Sequence, residues 1–160
     1  MSLLVRMSRT SQVSATSPVH TLEFSRLANE TSAEGFLEKL VNTLGVVYVT
    51  SVTRDGCSGC AEQKPLFVEL ATKMNAKHTG LVDFSNIHVR YSEENPSESP
   101  RAKMALRHAA YPTYMINVRS RFGPLELYRA IYPSMENLEK QVEEALDLAE
   151  YYKMEAEKAK

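Results

Sequence analysis

Residues 46–52, Val46-Val47-Tyr48-Val49-Thr50-Ser51-Val52, are apolar at nearly every position and rich in β-branched side chains. A strand with one wet face would alternate polar and apolar residues. This one is apolar on both faces, which calls for a central strand covered on both sides. Four residues after Val52 the chain reads Gly56-Cys57-Ser58-Gly59-Cys60. A helix-like stripe of Leu66, Phe67, Leu70, Ala71 and Met74 follows. The two cysteines are the only ones in the chain, so a Cys-x-x-Cys pair between a buried strand and a helix dominates the reading.

Two cysteines in 160 residues cannot form the disulfide framework of a small secreted domain. A zinc site would need two more ligands. His20, His78, His88 and His108 are scattered without His-x3-His spacing, so no metal is expected. A net charge of −1 offers no field to recruit nucleic acid or an anionic membrane. No apolar run is long enough to span a bilayer. The first 22 residues are rich in Ser and Thr, carry Arg6 and Arg9 and lack acids. That reads as a flexible arm over residues 1–18, although the same bias loosely resembles an organelle transit peptide. The expected location is cytoplasmic, with organelle targeting left open.

Along the chain, Val19 to Phe24 reads as a short edge strand. Thr31-Ser32-Ala33-Glu34 has the form of a capping box for a helix bearing Phe36, Leu37, Leu40, Val41 and Leu44, with Gly45 as its stop. The Cys-x-x-Cys helix contains Pro65, which would kink it. Asn75 to Asn86 reads as a connection, and Ile87 to Tyr91 as a strand. Arg101 to Ala109 reads as a short helix, with Pro100 suited to a first helical position. Thr113 to Val118 and Leu125 to Tyr132 form a hairpin around a turn at 121–124. Pro133-Ser134 opens a last helix with Met135, Leu138, Val142, Ala145 and Ala149 on one side, and residues 151–160 form a helical extension that protrudes or frays. The main domain spans 19–150, and its order (β)αβαβαββα predicts an α/β sandwich with a mixed sheet flanked by helices.

A cysteine at a helix N-terminus faces unpaired backbone N–H groups and the positive end of the helix dipole, which favour its thiolate. Cys57 is thus the expected exposed nucleophile. Cys60, one turn along the same face, is the expected resolving thiol. Gly56 and Gly59 would let the backbone turn tightly and leave Cys57 uncovered. Arg54 favours the thiolate and Asp55 opposes it, so their net effect has no sign at this level. His108 reads as a solvent-facing helical residue, and the acidic face of the last helix as a solvated surface. Two buried structural thiols are the bland alternative, and a metal or iron–sulfur site, with the dithiol bridging two chains, is the weakest.

With Cys57-Ser58-Gly59-Cys60 after a hydrophobic strand, Pro65 five residues beyond the second cysteine, and Tyr111-Pro112-Thr113 ahead of the hairpin, the chain resembles the thioredoxin superfamily. The resemblance covers roughly residues 20 to 150 and implies a thioredoxin-like fold. It implies that Pro112 is a cis-proline beside the dithiol. It also implies that Tyr111 offers backbone to a substrate peptide, with Thr113 completing that motif, and that Pro65 kinks the active-site helix. Ser58 and Gly59 stand where thioredoxins proper carry Gly-Pro, and Gly56 replaces a tryptophan. The family's buried acid falls near Ser51.

These readings converge on a thiol–disulfide oxidoreductase that exchanges the Cys57/Cys60 pair with protein disulfides or dithiols through a mixed disulfide. It needs no organic cofactor or metal, only an external reductant or oxidant and a redox partner, and it is expected as a monomer or weak dimer. The alternative is a non-catalytic thioredoxin-like adapter or redox sensor that holds a peptide beside Pro112.

Overall fold

The computed structural model describes residues 17–30 and 33–160. In chain order the elements are β1 (Val19–Glu23), α1 (Phe24–Glu30), α2 (Ala33–Leu40), β2 (Val47–Arg54), α3 (Ser58–Lys77), β3 (Val82–Val89), α4 (Glu98–Leu106), β4 (Thr113–Ser120), β5 (Gly123–Ile131) and α5 (Met135–Lys158). The strands form one mixed sheet in the order β1-β3-β2-β4-β5. β2 runs parallel to β3 and antiparallel to β4, so it is hydrogen-bonded along both edges. Its first six residues are all buried, which is why it carries no polar alternation.

Each face of the sheet carries its own helices. On one face, Phe67, Leu70, Ala71 and Met74 of α3 and Leu138, Val142, Ala145 and Ala149 of α5 pack on Val47, Val49, Phe84, Tyr114 and Ile116. On the other, Phe24, Phe36, Ala102 and Leu106 from the remaining helices cover Val52, Ile87, Val89 and Met115. Phe67 anchors α3 by lying 5.4 Å from the Phe84 ring and 5.3 Å from the Tyr114 ring, both tilted or edge-on.

The α/β sandwich, its mixed sheet and the element order follow the sequence expectation, with α1 as an added helix between β1 and α2. The expected cap at Thr31-Ser32 lies outside the described residues, as does the arm up to residue 16. Other boundaries move for identifiable reasons. α2 stops at Leu40 rather than at Leu44, because the Tyr48 hydroxyl accepts the Thr43 N–H at 3.0 Å and donates to Asn42 at 3.1 Å, holding residues 42–43 in a turn. Gly45 belongs to the turn before β2, where its φ of +84° suits a residue without Cβ.

β3 begins at Val82, inside the stretch expected to be a connection. Its polar residues disguised it. Ser85 pairs its hydroxyl with that of Thr50 at 3.2 Å, and Asn86 bonds to Ser51 and Thr53 of β2, so both are satisfied across the ladder. α4 starts at Glu98, leaving Pro100 in its first turn, where the missing N–H has no helical acceptor. It ends at Arg107, whose φ of +58° turns the chain, so His108 is not helical. α5 is capped by the Ser134 hydroxyl, which accepts the Asn137 N–H at 3.1 Å. Past Glu150, where a helical extension that protrudes or frays was expected, it continues as helix to Lys158, and Ala156 is buried near its end.

Phe67→Ala removes the ring that fixes α3 to the sheet and should cost about 3–5 kcal/mol. Denaturant unfolding of the variant would show that loss as a lower midpoint with an unchanged slope.

Candidate active site

The backbone turns at Gly56, with φ +71°, and enters α3 at Cys57, which occupies the N-cap position. The Cys57 sulfur accepts the N–H of Cys60 at 3.1 Å, one of the donors that a helix start leaves unpaired. The two cysteines are joined as a disulfide with Cα atoms 5.2 Å apart. Cys60 is buried, at 7 % exposed, and Cys57 is half-buried. Cys57 is therefore the more accessible residue of the pair and Cys60 the more buried.

The role expected of Gly59 changes. Its backbone is helical and its φ is not positive. What matters is space. A Cβ on Gly59 would lie 2.9 Å from the Tyr132 ring and 3.4 Å from Pro112 Cδ. The Tyr111–Pro112 peptide bond is cis, as the resemblance implied, and Pro112 lies beside the Cys-x-x-Cys helix.

Tyr132 was not singled out by the sequence. It follows β5, has φ +49°, and donates its N–H to the Pro112 carbonyl at 3.0 Å. A left-handed conformation costs a residue with a side chain about 1 kcal/mol. The neighbouring chain is held down as well, since the buried Gln63 side chain donates to the Pro133 carbonyl at 2.7 Å. The hydroxyl of Tyr132 is hydrogen-bonded to Glu62, which raises its pKa. The ring thus forms a wall over Gly59 and next to Pro112. Only its position just before Pro133 hinted at a sharp turn, and nothing in the sequence said that it reaches back to the cysteine helix.

The other expected site residues are placed as follows. Ser58 is exposed on the first turn of α3, and Pro65 lies exposed within the same helix. Arg54 stacks its guanidinium 4.2 Å from the Tyr91 ring centre and 5.6 Å from that of Tyr111, and its Nε donates to the Asp55 carbonyl at 3.2 Å. Tyr111 exchanges hydrogen bonds with Ser99, its hydroxyl donating to the Ser99 carbonyl at 3.2 Å. Thr113 is buried, and its hydroxyl donates to the Ala110 carbonyl at 2.7 Å, so its side chain supports the turn. Ser51 is buried behind the disulfide helix, where Asn86 donates to its carbonyl and to its hydroxyl at 3.2 and 2.9 Å. A neutral pair fills that position.

His108 is buried at 7 % exposed, contrary to its expected solvent-facing place. Its ring lies edge-on to Tyr111 at 4.7 Å, and neither ring nitrogen has a hydrogen-bond partner among the described residues. Burial, with the nearby Arg129 and Lys103 cations, lowers its pKa to about 4, so it packs as a neutral ring. Beside the cysteine loop, His88 bridges two carboxylates, with Nδ1 2.8 Å from Glu23 and Nε2 2.7 Å from Asp55. Burial opposes the charged imidazole, but the bonds to Glu23 and Asp55 outweigh it and raise the His88 pKa. The His88 hydrogen bond, with the Tyr91 N–H assisting against partial burial, lowers that of Asp55. Asp55 is thus committed to His88 and Tyr91. No group of three or more residues suited to hold a metal occurs among the described residues. Among the described residues, no helix is long and apolar enough to cross a membrane.

No protein-family model and no curated protein sequence matches the chain. Solved structures do match. A thioredoxin from Trichomonas vaginalis aligns with a TM-score of 0.59 and 11% identity, covering 81% of this chain and 98% of its own. The chain has the thioredoxin fold. A thioredoxin from Trypanosoma brucei brucei gives 0.55 at 18% identity over 83% and 96% of the two chains, and oxidised mitochondrial thioredoxin 3 from Saccharomyces cerevisiae gives 0.52 at 16% over 81% and 99%. Against that fold, the Cys-Ser-Gly-Cys motif at the N-terminus of α3 and the cis Pro112 beside it support a thiol redox function in general.

Gly59→Ala should cost about 1–3 kcal/mol by driving a methyl group into the Tyr132 ring. In a double-mutant cycle measured by denaturant unfolding, Tyr132→Gly in the same background should recover most of that loss. The His88 bridge carries a pH signature. A raised histidine pKa contributes stability below its ordinary 6.5 and loses it as pH rises through the folded value. A lowered Asp55 pKa contributes above its ordinary 3.8 and loses it as pH falls through the folded value. The stability gap between the wild type and His88→Ala should therefore be widest near about pH 5 and shrink at higher and lower pH, as read by unfolding across that range.

Proposed function

We propose that the protein is a thiol–disulfide oxidoreductase acting on protein disulfides or dithiols. The observation that carries this reading is the asymmetry of the cysteine pair: a reachable Cys57 at the N-cap of α3, receiving the Cys60 N–H, and a sheltered Cys60 one turn on. In the reductive direction the Cys57 thiolate attacks a target disulfide, and one target sulfur leaves as a thiol. Cys60 then attacks the Cys57 sulfur of the mixed disulfide, releasing the second target thiol and closing the Cys57–Cys60 bond. Two electrons pass from the dithiol to the target, and an external reductant restores the pair. The reverse steps oxidise a dithiol.

The backbone before Pro112 is the proposed docking edge for an extended target segment, with Tyr132 bonded to the Pro112 carbonyl and Tyr111 itself stacked against Arg54. Peptide adapters are the second reading. The neutral Ser51–Asn86 pair favours it, because no carboxylate stands there to take a proton from Cys60. A measured reduction potential separates the two, since a disulfide that no cellular thiol pool can cycle would select the adapter.

Cys57→Ser should reduce insulin disulfides no faster than dithiothreitol alone, and wild-type activity in that variant would refute the nucleophile assignment. Cys60→Ser should accumulate mixed disulfides with target proteins, visible as reductant-sensitive adducts on gels.

A further inference from the structure

The backbone edge before Pro112 adjoins a second surface, the outer side of α4. Burial of Glu98, Ser99, Ala102 and Leu106 fixes which side of this helix meets the core. Arg101, Met104 and Arg107 are left exposed, at steps of three residues that align side chains along a helix. Lys103 carries this surface back toward the site, its Nζ 5.6 Å from the centre of the Tyr111 ring. The Arg54 guanidinium lies 5.6 Å from the same ring. Tyr111, the residue before the cis-proline, thus has cations from two elements close by.

The charges of α4 are not spent within the protein. Glu98 is buried, accepts the Arg90 N–H at 2.6 Å and pairs with the Arg90 guanidinium at 3.1 Å. Glu126 pairs with Arg129 at 2.7 Å. Among the described residues no ion pair reaches Arg101, Lys103 or Arg107. The helix dipole does not account for all three. It favours cations at the C-terminal end, where Lys103 and Arg107 stand, and disfavours one in the first turn, where Arg101 stands. Met104, 82% exposed, sets an apolar side chain between the two arginines. The positive field also reaches inward, since Arg129 and Lys103 add to burial in keeping His108 neutral. On the opposite face of the sheet lies α5, rich in acids such as Glu139, Glu143 and Asp147, so the small net charge conceals two faces of unlike sign.

We infer that the outer face of α4 is a docking surface for an acidic polypeptide segment, the stretch of a target protein that flanks its reactive cysteine. The inference rests on the redox reading above and names the class of target that the site selects. An extended chain advances about 3.3 Å per residue. Acidic side chains a few residues from the target cysteine therefore meet Lys103, and then the arginines, while the backbone pairs at Tyr111. Attraction of this kind raises the rate of encounter and leaves the thiol chemistry as it is. A nucleic acid or an anionic lipid would satisfy the charges but offers neither a strand to the Tyr111 edge nor sulfur to Cys57.

The test uses the full reduced chain and synthetic peptides of one length, each with a single cysteine capped as a mixed disulfide with thionitrobenzoate. Glutamates, glutamines or lysines flank the cysteine. In each reaction the protein dithiol is oxidised and the probe disulfide yields two thiols, one of them coloured. At low salt the glutamate probe should react about tenfold faster than the glutamine probe, and salt should shrink the gap. Arg101→Gln combined with Arg107→Gln should remove the gap, and Arg101→Glu combined with Arg107→Glu should reverse it in favour of lysine. Lys103→Gln provides a separate loss of charge should a double variant fail to fold. A fluorescent glutamate peptide without cysteine should bind the oxidised wild type and not the charge-reversed variant, as anisotropy would show. Equal rates for all probes, or an unchanged preference in the folded variants, overturns the proposal. So does binding of a single-stranded oligonucleotide or phosphatidylserine vesicles in place of the peptide, or pairing of this face with a second copy, seen by sedimentation. Equal reaction of all probes leaves the redox reading intact, and peptide binding without any reaction removes that reading while the surface stands.

Discussion

The pairing of β2 with both of its neighbours is the constraint on which the site depends. β2 is bonded to β3 along its whole length and to β4 from Val47 through Val52. The last of those antiparallel pairs sets Val52 opposite Thr113. Pro112, one residue before Thr113, is thus delivered to the end of the strand from which the cysteine loop departs. A shift of one residue in this register would exchange the side chains that β2 presents to its two faces, so the fit of each face to its own helices holds the register and, through it, the distance between Pro112 and α3.

Tyr132 extends the same logic one strand further. β5 pairs with β4 out to Ile131, opposite Thr113, and the chain then turns back over α3. The positive φ of Tyr132, its bond to Pro112 and the grip of Gln63 on Pro133 aim the ring at Gly59. Backbone strain of this kind persists where the surroundings over-determine it, and here those surroundings are the functional candidates themselves. The Tyr132 wall bounds one side of the cysteine helix, while Cys57 and Cys60 also line a cavity of about 430 Å³ that is walled by apolar and polar side chains together.

The electrostatics around the loop are arranged in closed pairs. Asp55 is taken up by His88 and the Tyr91 N–H, and Arg54 by the Tyr91 ring. The two charged residues that flank the cysteine turn in sequence are therefore engaged with β3 and the chain just beyond it. Behind the helix, hydroxyls and an amide replace charge altogether, with Ser51, Thr53 and Asn86 satisfying one another. The local field on the sulfurs is left to the helix terminus, through the Cys60 N–H.

Much of this was legible in the sequence because it depends on short-range pattern. The apolar run of β2, the Cys-x-x-Cys spacing, the stripe of α3, Pro112 before a hairpin and the periodicity of the last helix each express a local requirement, and together they determined the α/β order and the cysteine site. What failed to show was whatever depends on partners far along the chain. The start of β3 was hidden because Ser85 and Asn86 look like loop residues until β2 supplies their hydrogen bonds. His108 was misplaced because a left-handed Arg107 ends α4 early and tucks the ring under Tyr111. Gly59 looked like a flexible residue, and only the ring of Tyr132, 73 positions later, shows that it is glycine for want of space. The chain by itself determined that two thiols sit at a helix start. Tertiary packing alone decided what lies on either side of them, because wall and cavity are made of side chains that meet only when the sheet closes.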